Sequence, residues 1–323
     1  MIYKQIGNDK VSAIGIGTYG IYKDEHVDSI KYAVDCGINF IDTAEEYNDG
    51  DSEIIIGRAI KHIRKDIFLS TKVSPENLNY YDVLKSCCLS LKRLNTDYID
   101  LYNIHWPNSS IDIKRTLNAM QSLIKHGKIR YVGVSNFTYK QLVEAHDILG
   151  NSLVSIQNEY SPIERTVEDE ILPFCEDNGI MLIAYSPYKF ASYINLSGNP
   201  IVLSWIVSHS NTIALVKSTN KEHIKVNCEK LEYTKEVLPN KECAYIPISS
   251  ICDFKKSTDY SPTPEDLAYD IKRYGLLKPL KVKFIDNKYE IVEGKLRFLA
   301  WCIANKNKDI PAIILNNHDV PKT

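Results

Sequence analysis

Apolar and polar positions follow two alternating rhythms over the first 227 residues. Short β-rich runs recur as AIGIGT (13–18), INFID (38–42), IFLSTK (67–72), YIDLYNI (98–104), IRYVGV (129–134), VSIQ (154–157), IMLIAY (180–185) and IALVK (213–217). Between them, stretches such as DSIKYAVDCG (28–37) and VLKSCCLSLKRLN (83–95) place apolar residues at i, i+3 and i+4, the spacing of a helix with one buried face. Gly37, Gly127 and Gly179 stand just past such stretches, where a helix ends most readily in a left-handed residue. Eight strand–helix units predict an α/β fold, a (β/α)₈ TIM barrel, on the short side of the roughly 250 residues typical of that fold. The opening IYKQIGNDKVSAI predicts a hairpin capping the bottom of the barrel.

After Asn227 the alternation breaks. A charged segment, KLEYTKEVLPNKE, leads to YIPISSI, a loop with SPTPED, a helix (LAYDIKRYG), a strand pair around Asp286-Asn287, a second helix (LRFLAWCIANK) and IPAIIL. This order predicts a small α+β domain. The expected organisation is a barrel over 1–228, a linker over 229–240 and a second domain over 241–323.

Composition narrows the class. Hydrophobic residues at 44% and charged residues at 25% fit a folded chain. A formal charge of −2 gives no electrostatic reason to expect DNA or a membrane surface as partner. The N-terminus has no apolar run after a basic start and no stretch is long enough to span a bilayer, so a cytoplasmic protein is expected. The eight cysteines form no CxxC pair and have no histidine at zinc spacing, so they read as thiols, and no metal is expected.

Gly15-Ile16-Gly17-Thr18-Tyr19-Gly20 is a literal G-x-G-x-x-G, and Asp42 follows at about the distance of a ribose-binding acid. A Rossmann dehydrogenase is therefore an alternative. Against it, the next helix starts near Asp24 rather than within the glycines, and that fold gives no reason for reactive side chains at the following strand ends.

Those side chains are the stronger signal. DTAEEY follows the second barrel strand, STK ends the third and NIHWP ends the fourth. Barrel enzymes carry their chemistry on the rim formed by the C-terminal strand ends, so Asp42, Tyr47, Lys72 and His105 are expected to converge. Reducing a carbonyl takes hydride at carbon and a proton at oxygen. A tyrosine is a poor acid at neutral pH, and a nearby ammonium makes its proton easier to give. Lys72 can supply that charge, Asp42 can hold Lys72, and His105 can donate a hydrogen bond to the carbonyl oxygen.

These residues, with GIGTYG, FIDTAEEYNDGDSEIIIGRAI, SLKRLNTDYIDLYNIHWP, GKIRYVGVSNF, IQNEYSP, IAYSP and LVKSTNKEHIKVN, resemble the aldo-keto reductase superfamily over about the first 228 residues. The resemblance implies an NAD(P)H-dependent reductase of small aldehydes or ketones, sugar-derived and phosphorylated ones included. By its motifs Asp42, Tyr47, Lys72 and His105 are catalytic. Ser135, Asn136 and Gln157 hold the nicotinamide carboxamide, Tyr185 stacks on the ring, and Gly17, Thr18 and Ser186 complete that side of the cofactor site. Lys217 and Ser218 suit the adenosine 2′-phosphate, and Asn227 the adenine. His223 stands where many members carry arginine, so NADP is favoured and NAD stays open. The stretch YKFASYINLSGNP lacks the family's long cofactor-covering loop.

Residues 241–323 resemble the ParB/sulfiredoxin-like fold through YIPISSI, LAYDIKRYGLLKPLKV, YEIVEGKLRFLA and IPAIIL in that order. EGKLR falls where that family opens a helix on phosphate, making Gly294, Lys295 and Arg297 a candidate phosphate site. Lys295 replaces the sulfiredoxin cysteine, which argues against peroxiredoxin repair. No double arginine and no helix-turn-helix is found, so DNA partitioning is not expected. Nucleotide binding or phosphate transfer stays open beside a pocket-closing role. The competing function class is an NADP(H)-binding sensor, or a bifunctional protein, with this domain as effector.

Overall fold

The computed structural model describes residues 1–161, 164–189, 200–229, 243–252, 263–265, 267–268, 271, 280–285, 288–305 and 309–314. Those through Glu229 form one compact unit and those from Cys243 another.

The first unit opens with a hairpin, β1 (Tyr3–Ile6) antiparallel to β2 (Asp9–Ser12). Eight strands follow: β3 (Ile14–Gly17), β4 (Phe40–Asp42), β5 (Phe68–Val73), β6 (Ile99–Ile104), β7 (Ile129–Ser135), β8 (Leu153–Glu159), β9 (Met181–Tyr185) and β10 (Thr212–Val216). They close into a parallel barrel in chain order, β10 pairing back onto β3. Every strand expected from the sequence is present, with small shifts at the ends. This architecture rules out the Rossmann alternative. Gly15 and Gly17 lie on the first barrel strand, and the first helix (His26–Asp35) opens well beyond Gly20, so no helix terminus is built from the glycine motif.

The residues explain the layers. β5 and β6 are buried along their whole length, as strands enclosed on both faces must be. The helix Tyr80–Leu94 buries Val83, Cys87, Leu91 and Leu94, one stripe at helical spacing. Ile6 and Val11 of the hairpin join Phe40, Phe68, Val154 and Ile213, from the early part of the strands, in one buried cluster. Burying each such aliphatic side chain is worth about 1.5–3 kcal/mol. The hairpin thereby seals the N-terminal end of the barrel and leaves the opposite rim for a site.

In the second unit β11 (Cys243–Ile246), β12 (Leu280–Ile285), β13 (Lys288–Glu293) and β14 (Ile310–Ile314) form a sheet of order β11-β14-β12-β13. With the helix Lys295–Asn305 it buries a core of its own, including Ile246, Leu280, Val282, Ile291 and Ala300. β12 and β13 are antiparallel, as the hairpin signal predicts. The Asp286-Asn287 turn itself lies outside the described residues, as do 190–199 of the loop after β9, 230–240 of the linker, half of SPTPED and most of LAYDIKRYG. Among the described residues no helix is long and apolar enough to cross a membrane.

Candidate active site

Strand register brings the first charges together. Asp42 stands beside Ser70 across β4 and β5, and the two-residue repeat of β5 returns Lys72 to the same interior face as Ser70. Lys72 Nζ donates to Asp42 Oδ2 at 2.5 Å and to the Thr43 carbonyl at 2.8 Å. The other Asp42 oxygen accepts from Ser70 Oγ at 2.8 Å and Gln157 Nε2 at 3.1 Å. Lys72 is 0% exposed and Asp42 2%, so this ion pair survives only because hydrogen bonds surround it. Burial opposes the Lys72 ammonium, but Asp42 and Tyr47 together outweigh it and hold the amine above its ordinary value. Lys72 is therefore a cation at neutral pH.

Tyr47 reaches this pair from the loop after β4. Asn48 and Asp49 adopt φ of 51° and 54°, and Gly50 91°. Asn and Asp tolerate the left-handed region best among non-glycine residues, so the sequence NDG suits this reversal. Lys72 Nζ lies 5.1 Å from the Tyr47 ring centroid. The same ring meets His105 edge-on at 5.6 Å and Tyr19 at 5.4 Å. Burial pushes the phenol above its ordinary value; Lys72 pulls it down, and Asp42 pushes it up again. The pull of Lys72 is the one expected from the sequence, but the net direction is upward because the ring leaves water.

His105 closes the cluster from the end of β6. Burial, then the Lys72 charge, depresses its imidazole to about 3, so the ring is neutral at physiological pH. Its buried Nδ1 lies 3.0 Å from Glu46 Oε1, without hydrogen-bond geometry.

A cavity of about 610 Å³ opens over these residues, a size suited to small-molecule ligands. Asp42, Tyr47 and His105 line it, with Lys72 directly behind. Gly17, Thr18, Ser135, Asn136, Gln157, Tyr185, Ser186 and Lys217 line it too. The two sets are coupled. Asn136, at φ 60°, donates from Nδ2 to the His105 carbonyl at 3.0 Å and accepts from the Tyr185 hydroxyl at 2.8 Å. Ser135 Oγ donates to the Gln157 carbonyl at 2.8 Å.

Ser218, His223 and Asn227 are not among the lining residues. Ser218 is engaged in a turn with Asn220, and His223 is exposed on the helix Lys221–Glu229. Asn227, buried on that helix, accepts from the Tyr188 hydroxyl at 3.3 Å. Tyr19, Glu46, Trp106 and Tyr188 also line the cavity, although the motifs single out none of them. The available signal was adjacency, since Glu46 precedes Tyr47 and Trp106 follows His105.

In the second unit Gly294 has φ 109° and precedes the helix Lys295–Asn305. A Cβ there would stand 2.9 Å from an Arg297 guanidinium nitrogen, so this turn accepts only glycine without adjustment.

A model of the aldo/keto reductase family matches residues 12–194. Methylglyoxal reductase YeaE of Escherichia coli (strain K12) is 33% identical over 249 residues, covering 70% of this chain and 87% of that protein. The thermostable aldo-keto reductase Tm1743, solved with the inhibitor epalrestat, superimposes with a TM-score of 0.68 at 36% identity, over 73% of this chain and 96% of that one. An aldo/keto reductase from Klebsiella pneumoniae, solved with NADP and acetate, gives 0.66 at 29% identity, over 73% and 91%.

Proposed function

Because the chain belongs to the aldo/keto reductase family, we propose that its barrel reduces a small aldehyde or ketone to an alcohol with NADPH, through Asp42, Tyr47, Lys72 and His105. The observation that carries this assignment is the meeting of a buried ammonium, a phenol and a neutral imidazole at one cavity. The cofactor, when bound, supplies the hydride that reaches the carbonyl carbon.

The residues present fit that group. Thr18 Oγ1 is buried at the cavity wall and has no hydrogen-bond partner among the described residues. At Gly17 a Cβ would meet nothing closer than the Val216 carbonyl at 3.9 Å, which leaves room for a flat ring. Ser135, Asn136 and Gln157 would hold the carboxamide, with donors and acceptors for both of its groups, and Tyr185 and Ser186 would flank the ring. Lys217 and Ser218, with His223 and Asn227 on the next helix, would hold the phosphate and adenine end.

Tyr47 then gives its proton to the carbonyl oxygen. With its phenol held high, Tyr47 enters each turnover protonated, and Lys72 stabilises the phenolate that remains. Asp42 keeps Lys72 at that distance. His105 is neutral, so one ring nitrogen carries a proton; in the tautomer with that proton on Nε2 the ring would donate to the oxygen and stabilise its developing charge. YeaE is named for methylglyoxal, which makes small dicarbonyls the first substrates to test. Stopped-flow NADPH oxidation against a carbonyl panel is expected to show turnover that Tyr47→Phe abolishes. Full activity in that variant would remove the proton-donor role, and an inert wild type would favour a sensor.

The second unit is assigned the ParB/sulfiredoxin-like fold, with Gly294, Lys295 and Arg297 as a phosphate or nucleotide site. Support comes from the left-handed Gly294 at a helix N-terminus with Arg297 packed against it. Calorimetric titration of the full chain with ATP and CTP tests this, binding being expected and its loss in Arg297→Ala. No heat with either nucleotide would overturn it.

A further inference from the structure

Glu46 is a cavity-lining carboxyl one residue before the proton donor. Its side chain is 42% exposed, and its Oε1 lies 3.0 Å from His105 Nδ1. Among the described residues no lysine or arginine is within ion-pair distance of it, the His105 ring being the sole basic group that close. That ring is neutral, so it cannot cancel the charge.

The other charges around the reacting end do not compensate. Asp42, at the cavity wall, and Lys72 behind it neutralise each other. Lys189 at the rim is paired with Glu159 at 2.7 Å. Lys217 lies over the Tyr19 ring at 5.7 Å and is the cation assigned above to the cofactor phosphate. Partial desolvation holds the Glu46 carboxyl above its ordinary value, a hydrogen bond from Ser74 opposes this, Glu76 and Glu45 add to it, and Lys72 opposes it again. The substrate end of the cavity thus carries one unbalanced negative charge beside the imidazole that receives the carbonyl.

We infer that Glu46 sets the charge selectivity of this site, admitting neutral and hydroxylated carbonyl compounds and rejecting those that carry a carboxylate next to the carbonyl, such as 2-oxo acids. The inference rests on the reductase reading above. An anion docked on His105 would sit within several ångströms of the Glu46 oxygens. At effective dielectrics between protein and water, repulsion at that range is worth roughly a tenfold change in kcat/KM. Neutral aldehydes of the same size escape it. The discrimination weakens as ionic strength rises and as falling pH protonates Glu46, while His105 stays neutral and Lys72 stays charged through the neutral range.

The test compares kcat/KM for methylglyoxal and for glyoxylate, using the full chain with NADPH. The ratio cancels any loss common to both substrates, including loss from a weakened fold. The glyoxylate-to-methylglyoxal ratio is expected to rise about tenfold in Glu46→Gln, further in Glu46→Lys, and not in Glu46→Asp. The wild-type ratio is expected to rise with salt. Unchanged ratios in both the Gln and Lys variants, with methylglyoxal still turned over, would overturn the assignment and leave the reductase reading standing. Failure of the wild type to reduce either aldehyde would overturn both.

Discussion

Lys72 donates to Asp42 at 2.5 Å, with Lys72 fully buried and Asp42 2% exposed. Breaking a buried pair from one side strands the other charge, which costs about 3–5 kcal/mol. Lys72→Met is therefore expected to lose stability of that order in urea denaturation, and to lose turnover as well. Asp42→Asn combined with Lys72→Met should recover part of the stability but none of the activity. A double variant that regains turnover would show that the pair is structural only.

Tyr47 contributes a hydroxyl whose removal leaves the ring packed against His105 and Tyr19. Tyr47→Phe is expected to lower kcat by roughly 100- to 10,000-fold. Its melting temperature should stay within a few degrees of wild type. Kinetics and melting curves on the same preparation separate loss of chemistry from loss of fold.

The depressed value of His105, about 3 against an ordinary 6.5, gives a signed prediction. Between those limits the unfolded chain takes up a proton that the folded chain refuses. Stability is therefore full above pH 6.5 and is lost progressively as pH falls towards 3, by an amount on the order of a few kcal/mol. His105→Gln should flatten this part of the stability profile, measured by denaturation at pH 7, 5.5 and 4.5. An unchanged acid limb would mean that other groups dominate it. For the same reason the pH dependence of kcat/KM should show no imidazole limb near 6.5.

Gly133, on β7, leaves no room for a side chain. A Cβ there would stand 2.0 Å from Asn103 Oδ1 and 2.5 Å from Ser155 Oγ, neither at the end of a long flexible chain. Asn103 in turn donates to Ser70, and Ser70 to Asp42. Gly133→Ala is expected to destabilise by about 1–3 kcal/mol and to lower turnover through that chain of bonds. Urea denaturation alongside steady-state rates checks both.

Lys217 is the cation lining the cavity on the side assigned to the 2′-phosphate. Lys217→Ala is expected to raise KM for NADPH about tenfold while changing KM for NADH little, because NADH lacks the phosphate. Equal effects on both cofactors would move Lys217 out of that role.

The barrel and the convergence of Asp42, Tyr47, Lys72 and His105 were legible along the chain because both rest on local signals. Strand and helix periodicity depends on neighbouring residues, and strand ends carry Asp42, Lys72 and His105 to one rim once the barrel closes. Gly17, Thr18 and the Ser135–Asn136 pair were legible only through the family resemblance, and the structure places them on the same cavity. What tertiary structure alone decided was the environment of those groups. The net upward shift of the Tyr47 phenol arises from how far the folded loop removes it from water, which spacing along a sequence does not encode. Glu46 and Trp106 line the cavity once the loops after β4 and β6 are folded, which no local pattern announces. Ser218, His223 and Asn227 share a motif with Lys217 yet are not among the residues lining the cavity: Ser218 is held in a turn with Asn220, His223 is exposed, and Asn227 reaches it only through Tyr188. Motif order comes from the chain, whereas proximity, burial and charge balance come from closing eight strands on one another.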